Sequence, residues 1–166
     1  MDSVFITSAL NSTFEVFKTM AHFKPTPGIP ILKDEERNYG DITAIMEMRG
    51  DRASGQLAIS FSRKAICDIA QRMLNEEHTS INETTRDLTG ELVNMIVGGT
   101  KRTLSEQGYE FDMSTPDIVV GQGNQNKSEF NGETVSLPFE TPAGKFYLEL
   151  TYDVPVEEES YKQASH

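Results

Sequence analysis

The stretch from Ser80 to Gly108 constrains this chain more than any other. Ser80 and Glu83 have the spacing of a capping box, and Gly108 is a natural stop, so a helix is predicted from there to about Glu106. Take roughly 100° per residue with Asp87 at zero. Asp87, Glu91, Asn94, Gly98 and Lys101 then fall within about 40° of one line. Leu88, Leu92, Met95, Ile96 and Gly99 occupy an adjoining apolar stripe at roughly 80–180°. A helix so divided needs a sheet against its apolar stripe and leaves a separate polar ridge.

The rest of the chain supplies that sheet. Residues 4–20 place Val4, Phe5, Ala9, Phe14, Phe17 and Met20 on a helical stripe. Pro25, Pro27 and Pro30 then break regular structure, and the polar run ILKDEERNYG follows with Gly40 as punctuation. DITAIMEMR (41–49) and QLAISFS (56–62) flank the turn GDRASG and read as a hairpin. RKAICDIAQRMLN (63–75) reads as a short amphipathic helix, and Ile118 to Val120 as a short strand behind Pro116. After the polar loop GQGNQNKSEFNGE, VSLPFE and KFYLELTYDV flank TPAGK as a second hairpin. Helix and hairpin thus occur twice, with SGQLAISFS and AGKFYLELT as the best-matched pieces. The predicted fold is α+β: two layers, long helices packed on an antiparallel β-sheet, with an internal pseudo-repeat. One domain is expected over 1–153, followed by an acidic, flexible tail at 154–166.

Composition excludes several functions. Lys and Arg total 15 against 26 Asp and Glu, a net charge of −11, which opposes binding to nucleic-acid phosphates. No apolar run is long enough for a membrane span, and the N-terminal residues, with Asp2 and no early Lys or Arg, make a poor secretory signal. His22, His78 and His166 lack metal-ligand spacing, so no metal site is expected. Cys67, the single cysteine, sits in the apolar run AICDIA and reads as a buried structural thiol. A cytoplasmic setting is the expectation. No Walker or dinucleotide-type Gly-rich loop and no Gly-x-Ser-x-Gly elbow occurs.

The ridge is where chemistry could reside. Glu91 and Asn94 rise about 4.5 Å apart along the helix axis, close enough to address one small group together. A carboxylate pairs with a cation, and a carboxamide both donates and accepts hydrogen bonds and can orient a water. Gly98 would let a partner's backbone come close. Each residue also has a plainer reading. Glu91 and Asn94 could lie on an ordinary solvated face, Asp87 could simply favour the helix dipole, and Lys101 could be a solvated lysine. Gly98 and Gly99 could serve packing alone.

The spacing Asp87, Glu91, Asn94, followed after 21 residues by Pro116, resembles the signature of the CheC, CheX and FliY phosphatases of bacterial chemotaxis. The last interval is one residue short of that family's usual pattern. GELVNMIVGG is similar to the family's typical helix, and the N-terminal helix, the proline break, SGQLAISFS and DIVVG fit a CheX-like layout over residues 3–153. CheC-type members carry the Glu/Asn motif on two helices. Here the N-terminal helix has Asn11 and Glu15, in reversed order and at the wrong spacing, so one site per chain, the CheX arrangement, is expected. The resemblance implies a phosphoaspartate protein phosphatase acting on a CheY-like response regulator. Glu91 would anchor the receiver's lysine and Asn94 would orient the attacking water, with Asp87, Gly98 and Lys101 in partner binding. It implies a homodimer with no cofactor of its own, the Mg²⁺ being held by the receiver. Two other readings stand beside it: a catalytically silent CheX-like module that binds a receiver, and a small-molecule sensor or assembly protein with a closed apolar pocket.

Overall fold

The computed structural model describes residues 3–33, 40–121, 130 and 132–153. The acidic tail and most of the polar loop GQGNQNKSEFNGE lie outside the described residues, as does much of ILKDEERNYG.

Among the described residues, three helices pack on one antiparallel sheet. Helix α1 (Ser3–Val16) widens into a π-helical turn at Phe17–Ala21, closed by His22 in the left-handed conformation. Two short strands follow, β1 (Thr26–Pro27) and β2 (Ile31–Lys33). The first hairpin is β3 (Ile42–Arg49) and β4 (Ser54–Phe61). Helix α2 (Arg63–Leu74) precedes the long helix α3 (Glu83–Glu106). Strands β5 (Asp112–Met113) and β6 (Asp117–Val120) lead to the second hairpin, β7 (Thr134–Thr141) and β8 (Gly144–Asp153).

The sheet runs β1-β7-β8-β4-β3-β5, with β2 also on β7 and β6 also on β3. The two hairpins meet at its centre, where β4 pairs β8 from Ser54↔Asp153 to Phe61↔Phe146. These are the two best-matched pieces of the sequence repeat, now adjacent. The halves interlock: β1 and β2, which follow α1, pair with β7 of the second hairpin, while β5 and β6, which follow α3, pair with β3 of the first. Strands β1, β2 and β5 were not anticipated. Each is two or three residues long and is set by its neighbour's edge, not by local alternation.

Alternate residues of the long strands face the helices: Ile42, Ala44, Met46 and Met48; Leu57, Ile59 and Phe61; Leu137 and Phe139; Phe146, Leu148 and Leu150. Phe146 is the hub of an aromatic cluster, with ring centroids 4.7 Å from Phe139, 4.9 Å from Phe17 and 5.3 Å from Phe61. Phe5 of α1 stacks on Tyr152 at 4.4 Å and meets Tyr109, just beyond α3, at 5.0 Å. The opposite face of the sheet is polar, with Thr43 bonded to Ser60 and a buried ion pair between Lys33 and Glu149. Cys67 is buried, with Sγ 3.8 Å from the Ser80 carbonyl. Burial pushes its thiol pKa up, with Arg63 pulling the other way.

Candidate functional site

Helix α3 starts later than the Ser80/Glu83 spacing predicts. Asn82 is the N-cap: its side-chain oxygen accepts from the Thr85 N–H at 3.0 Å, and Thr85 Oγ1 accepts from the Asn82 N–H at 2.8 Å. A box closed by threonine in place of Glu or Gln escapes the usual pattern. With its oxygen committed to Thr85, the Asn82 amide donates to His78 Nδ1 at 2.9 Å. At the other end Gly108, at φ +88, turns the chain out of the helix, as expected.

The buried arc of α3 is wider than the apolar stripe in the sequence. Leu88, Leu92 and Ile96 are buried, but so are Val93 and Val97, which lie on the same side of the helix as Gly90, where Pro116 and Ile118 pack. Helices α1 and α3 run antiparallel, since Phe5 near the start of α1 meets Tyr109 just past the end of α3 while Ser12 Oγ donates to the Ile96 carbonyl at 2.7 Å. Gly99 permits this approach, since a methyl group there would collide with Ser12 Oγ. The neighbouring glycine differs: a methyl on Gly98 would meet nothing within 4 Å. The two glycines therefore have separate roles, 99 in packing and 98 in leaving open space.

Between the helices runs an open groove of about 640 Å³. Glu91, Asn94 and Gly98 line it from α3, together with Met95, Gly99 and Arg102. Glu91 is exposed and Asn94 half-buried, and neither side chain has a hydrogen-bond or ion-pair partner among the described residues. Asp87 is one turn before Glu91 but borders a separate hollow near the start of α3, with Arg86 and Val120. Lys101 is half-buried and lies outside the groove lining; Arg102 is the cation that reaches it. Pro116 packs on α3 at Gly90, whose missing side chain leaves room for it and for Ile118. The signature's proline thus lies against the helix turn that begins the Glu/Asn pair.

The far wall of the groove was not anticipated. Asn11 and Glu15 line it from α1, and Thr19 and Met20 from the π-helical turn that follows, so Asn11 and Glu15, which form no second motif, face the same groove as Glu91 and Asn94. Their spacing matched no motif. The sequence's one hint of a close approach is the pair Gly98 and Gly99, which does not say what approaches. Among the described residues, no group of three or more His, Cys, Asp or Glu side chains is placed to hold a metal ion. No helix there is long and apolar enough to cross a membrane.

Residues 42–140 match the family described as chemotaxis phosphatase CheX. Similar solved structures include a CheC-like superfamily protein from Shewanella sp. PV-4. It is 38% identical over 92% of this chain and 99% of that one, with a TM-score of 0.86. The chemotaxis protein CheX from Vibrio vulnificus is 34% identical over 90% of this chain and 99% of its own, with a TM-score of 0.83. The CheX of the CheX–CheY–BeF3–Mg²⁺ complex from Borrelia burgdorferi shares the fold, at 21% identity, a TM-score of 0.74, and coverage of 89% and 97% of the two chains. No curated protein matches the chain.

Proposed function

The chain belongs to the CheX family of chemotaxis phosphatases, and on that premise we propose that it hydrolyses the aspartyl phosphate of a CheY-like response regulator through Glu91 and Asn94. The observation that carries this reading is the pair itself. A carboxylate and a carboxamide stand one turn apart on the lip of an open groove, with no internal partner among the described residues, beside the space left by Gly98. Side chains held by no internal contact are available to a docking partner.

The mechanism asks little of the phosphatase. The receiver supplies the phosphoryl group, the lysine beside it and the Mg²⁺ that neutralises phosphoryl charge. Glu91 pairs with that lysine and fixes the register of the complex. The Asn94 carbonyl oxygen accepts a hydrogen bond from a water and holds it in line with the phosphorus, much as a glutamine does in GTPases. The water oxygen bonds to phosphorus, the bond from phosphorus to the aspartyl oxygen breaks, and the proton leaves with inorganic phosphate. The receiver aspartate is released unchanged. Rigid placement on the middle of a long, capped helix is what makes positioning effective, since misplacement by about 1 Å can cost a hundredfold in rate.

The test is phosphate loss from a phosphorylated receiver. Asn94→Ala should lower kcat by about 100-fold or more while leaving the fold intact. Glu91→Ala should raise KM about tenfold or more, as expected for loss of a charge-assisted contact. Phosphate loss at the wild-type rate in Asn94→Ala would refute the mechanism. Tight binding by the wild-type protein without faster phosphate loss would instead mark a silent receiver-binding module.

The homodimer implied by the family fits one further feature. The segment around β1 and β2 leaves Ile29, Ile31 and Leu32 at 82, 50 and 60% exposure on a sheet edge. Light scattering should give twice the chain mass of 18.5 kDa. A mass of one chain at micromolar concentration would exclude the dimer.

A further inference from the structure

The α1 wall of the groove carries an inference that rests on the reading above. Ser12 lies level with Ile96 and Gly99 through its hydrogen bond and close approach. With antiparallel helices rising about 1.5 Å per residue, Glu15 then falls roughly level with Asn94, and Asn11 roughly level with Gly98. Both are exposed and line the groove. Glu15 has no ion partner among the described residues, although Lys18 follows one turn later. Arg102, the cation in the groove lining, is eight residues beyond Asn94, or about 12 Å along the axis, toward the opposite end. The groove is therefore polarised. Glu15 and Glu91 flank Asn94 from opposite walls at an acidic end, and Arg102 marks the other.

Glu91 by itself is matched by the receiver's lysine, which leaves Glu15 as a second exposed carboxylate on the groove. We propose that Glu15, assisted by Asn11, is a second recognition element. It takes a further basic side chain, Lys or Arg, bordering the receiver's phosphorylation pocket, and so selects among receivers that share their active-site chemistry. Glu15 does not touch the reacting atoms. Its effect should appear in binding and selectivity and leave the chemical step unchanged. Met20, 40% exposed on the same wall, offers apolar contact to the stem of that side chain.

The experiment measures kcat and KM for release of phosphate from a phosphorylated CheY-like receiver, and Kd for the same receiver loaded with beryllofluoride and Mg²⁺. Glu15→Gln should raise KM and Kd about fivefold with kcat within twofold, and Glu15→Lys should raise them about 30-fold. Both effects should shrink in 0.5 M salt, and Glu15→Asp should recover part of the loss. Glu15 is exposed, so the thermal unfolding of all three variants should match the wild type. Unchanged Kd in Glu15→Lys would overturn the inference while leaving the roles of Glu91 and Asn94 intact. A fall in kcat at constant KM would also overturn it. Conversely, full activity in Asn94→Ala with a weakened Glu15→Lys complex would remove the proposed chemistry and keep the recognition element.

Discussion

Gly98 and Gly99 are adjacent in the chain and face different physical demands. Alanine at 99 must displace Ser12, whose hydroxyl is buried and bonded across to Ile96. Gly99→Ala should therefore destabilise the fold by about 1–3 kcal/mol, measured by urea denaturation. Alanine at 98 meets nothing, so helix propensity should dominate and Gly98→Ala should leave stability unchanged or raise it by up to about 1 kcal/mol. The same methyl enters the groove beside Asn94, so a stable protein with reduced phosphatase rate is the expected outcome. A stable and fully active variant would show that no partner approaches at this point. Cys67 gives a third test at this scale. Cys67 is buried, and burial pushes its thiol pKa up, which lowers the share of reactive thiolate, so a thiol reagent should label it far more slowly in the native protein than on unfolding. Rapid labelling of the native protein would contradict the buried placement.

Helix α3, which carries the proposed site, has its start and its sides held independently. The cap at Asn82 closes a box with Thr85 and is itself held by His78. Asn82→Ala should cost about 1 kcal/mol of stability and Ser80→Ala much less; the reverse order would restore the start read from the Ser80/Glu83 spacing. The helix and its ridge were legible because side-chain direction in a helix follows a fixed 3.6-residue period, whatever surrounds it. The cap was less legible. Ser80, Asn82 and Glu83 all suit a helix start, and the choice among them depended on where the connector from α2 delivers the chain. The wider buried arc, with Val93 and Val97, was hidden for a related reason. A single apolar stripe implies a single neighbour, whereas α3 meets α1 and α2 as well as the sheet.

The interlocked halves make the sheet one cooperative unit. Strands β4 and β8 hold its centre, and the Phe17, Phe61, Phe139 and Phe146 rings join the π-helical turn after α1 to both hairpins. Phe146→Ala should cost about 3–5 kcal/mol, seen as a single shifted transition by circular dichroism and fluorescence alike. Two separate transitions would mean that the halves unfold independently. The interlocking also serves the site. It fixes α1 and α3, one from each half, on the same face of one sheet, so the two walls of the groove keep their level without a shared loop.

The sequence by itself determined the helix that bears Glu91 and Asn94, the two hairpins and the layered α+β class. Each of these rests on periodicity within a few neighbouring residues, and the family likeness rests on the spacing of Glu91, Asn94 and Pro116 together with the order of elements over residues 3–153. Only the tertiary structure decided that Glu91, Asn94 and Gly98 form one lip of a groove, that Asp87 and Lys101 lie outside it, and that Asn11 and Glu15 line the other side. It also decided that Gly98 is open where Gly99 is packed, and that β1, β2 and β5 exist. These depend on surfaces brought together from distant parts of the chain, such as Ser12 against Ile96 and Gly99, and no local pattern encodes which surfaces will meet.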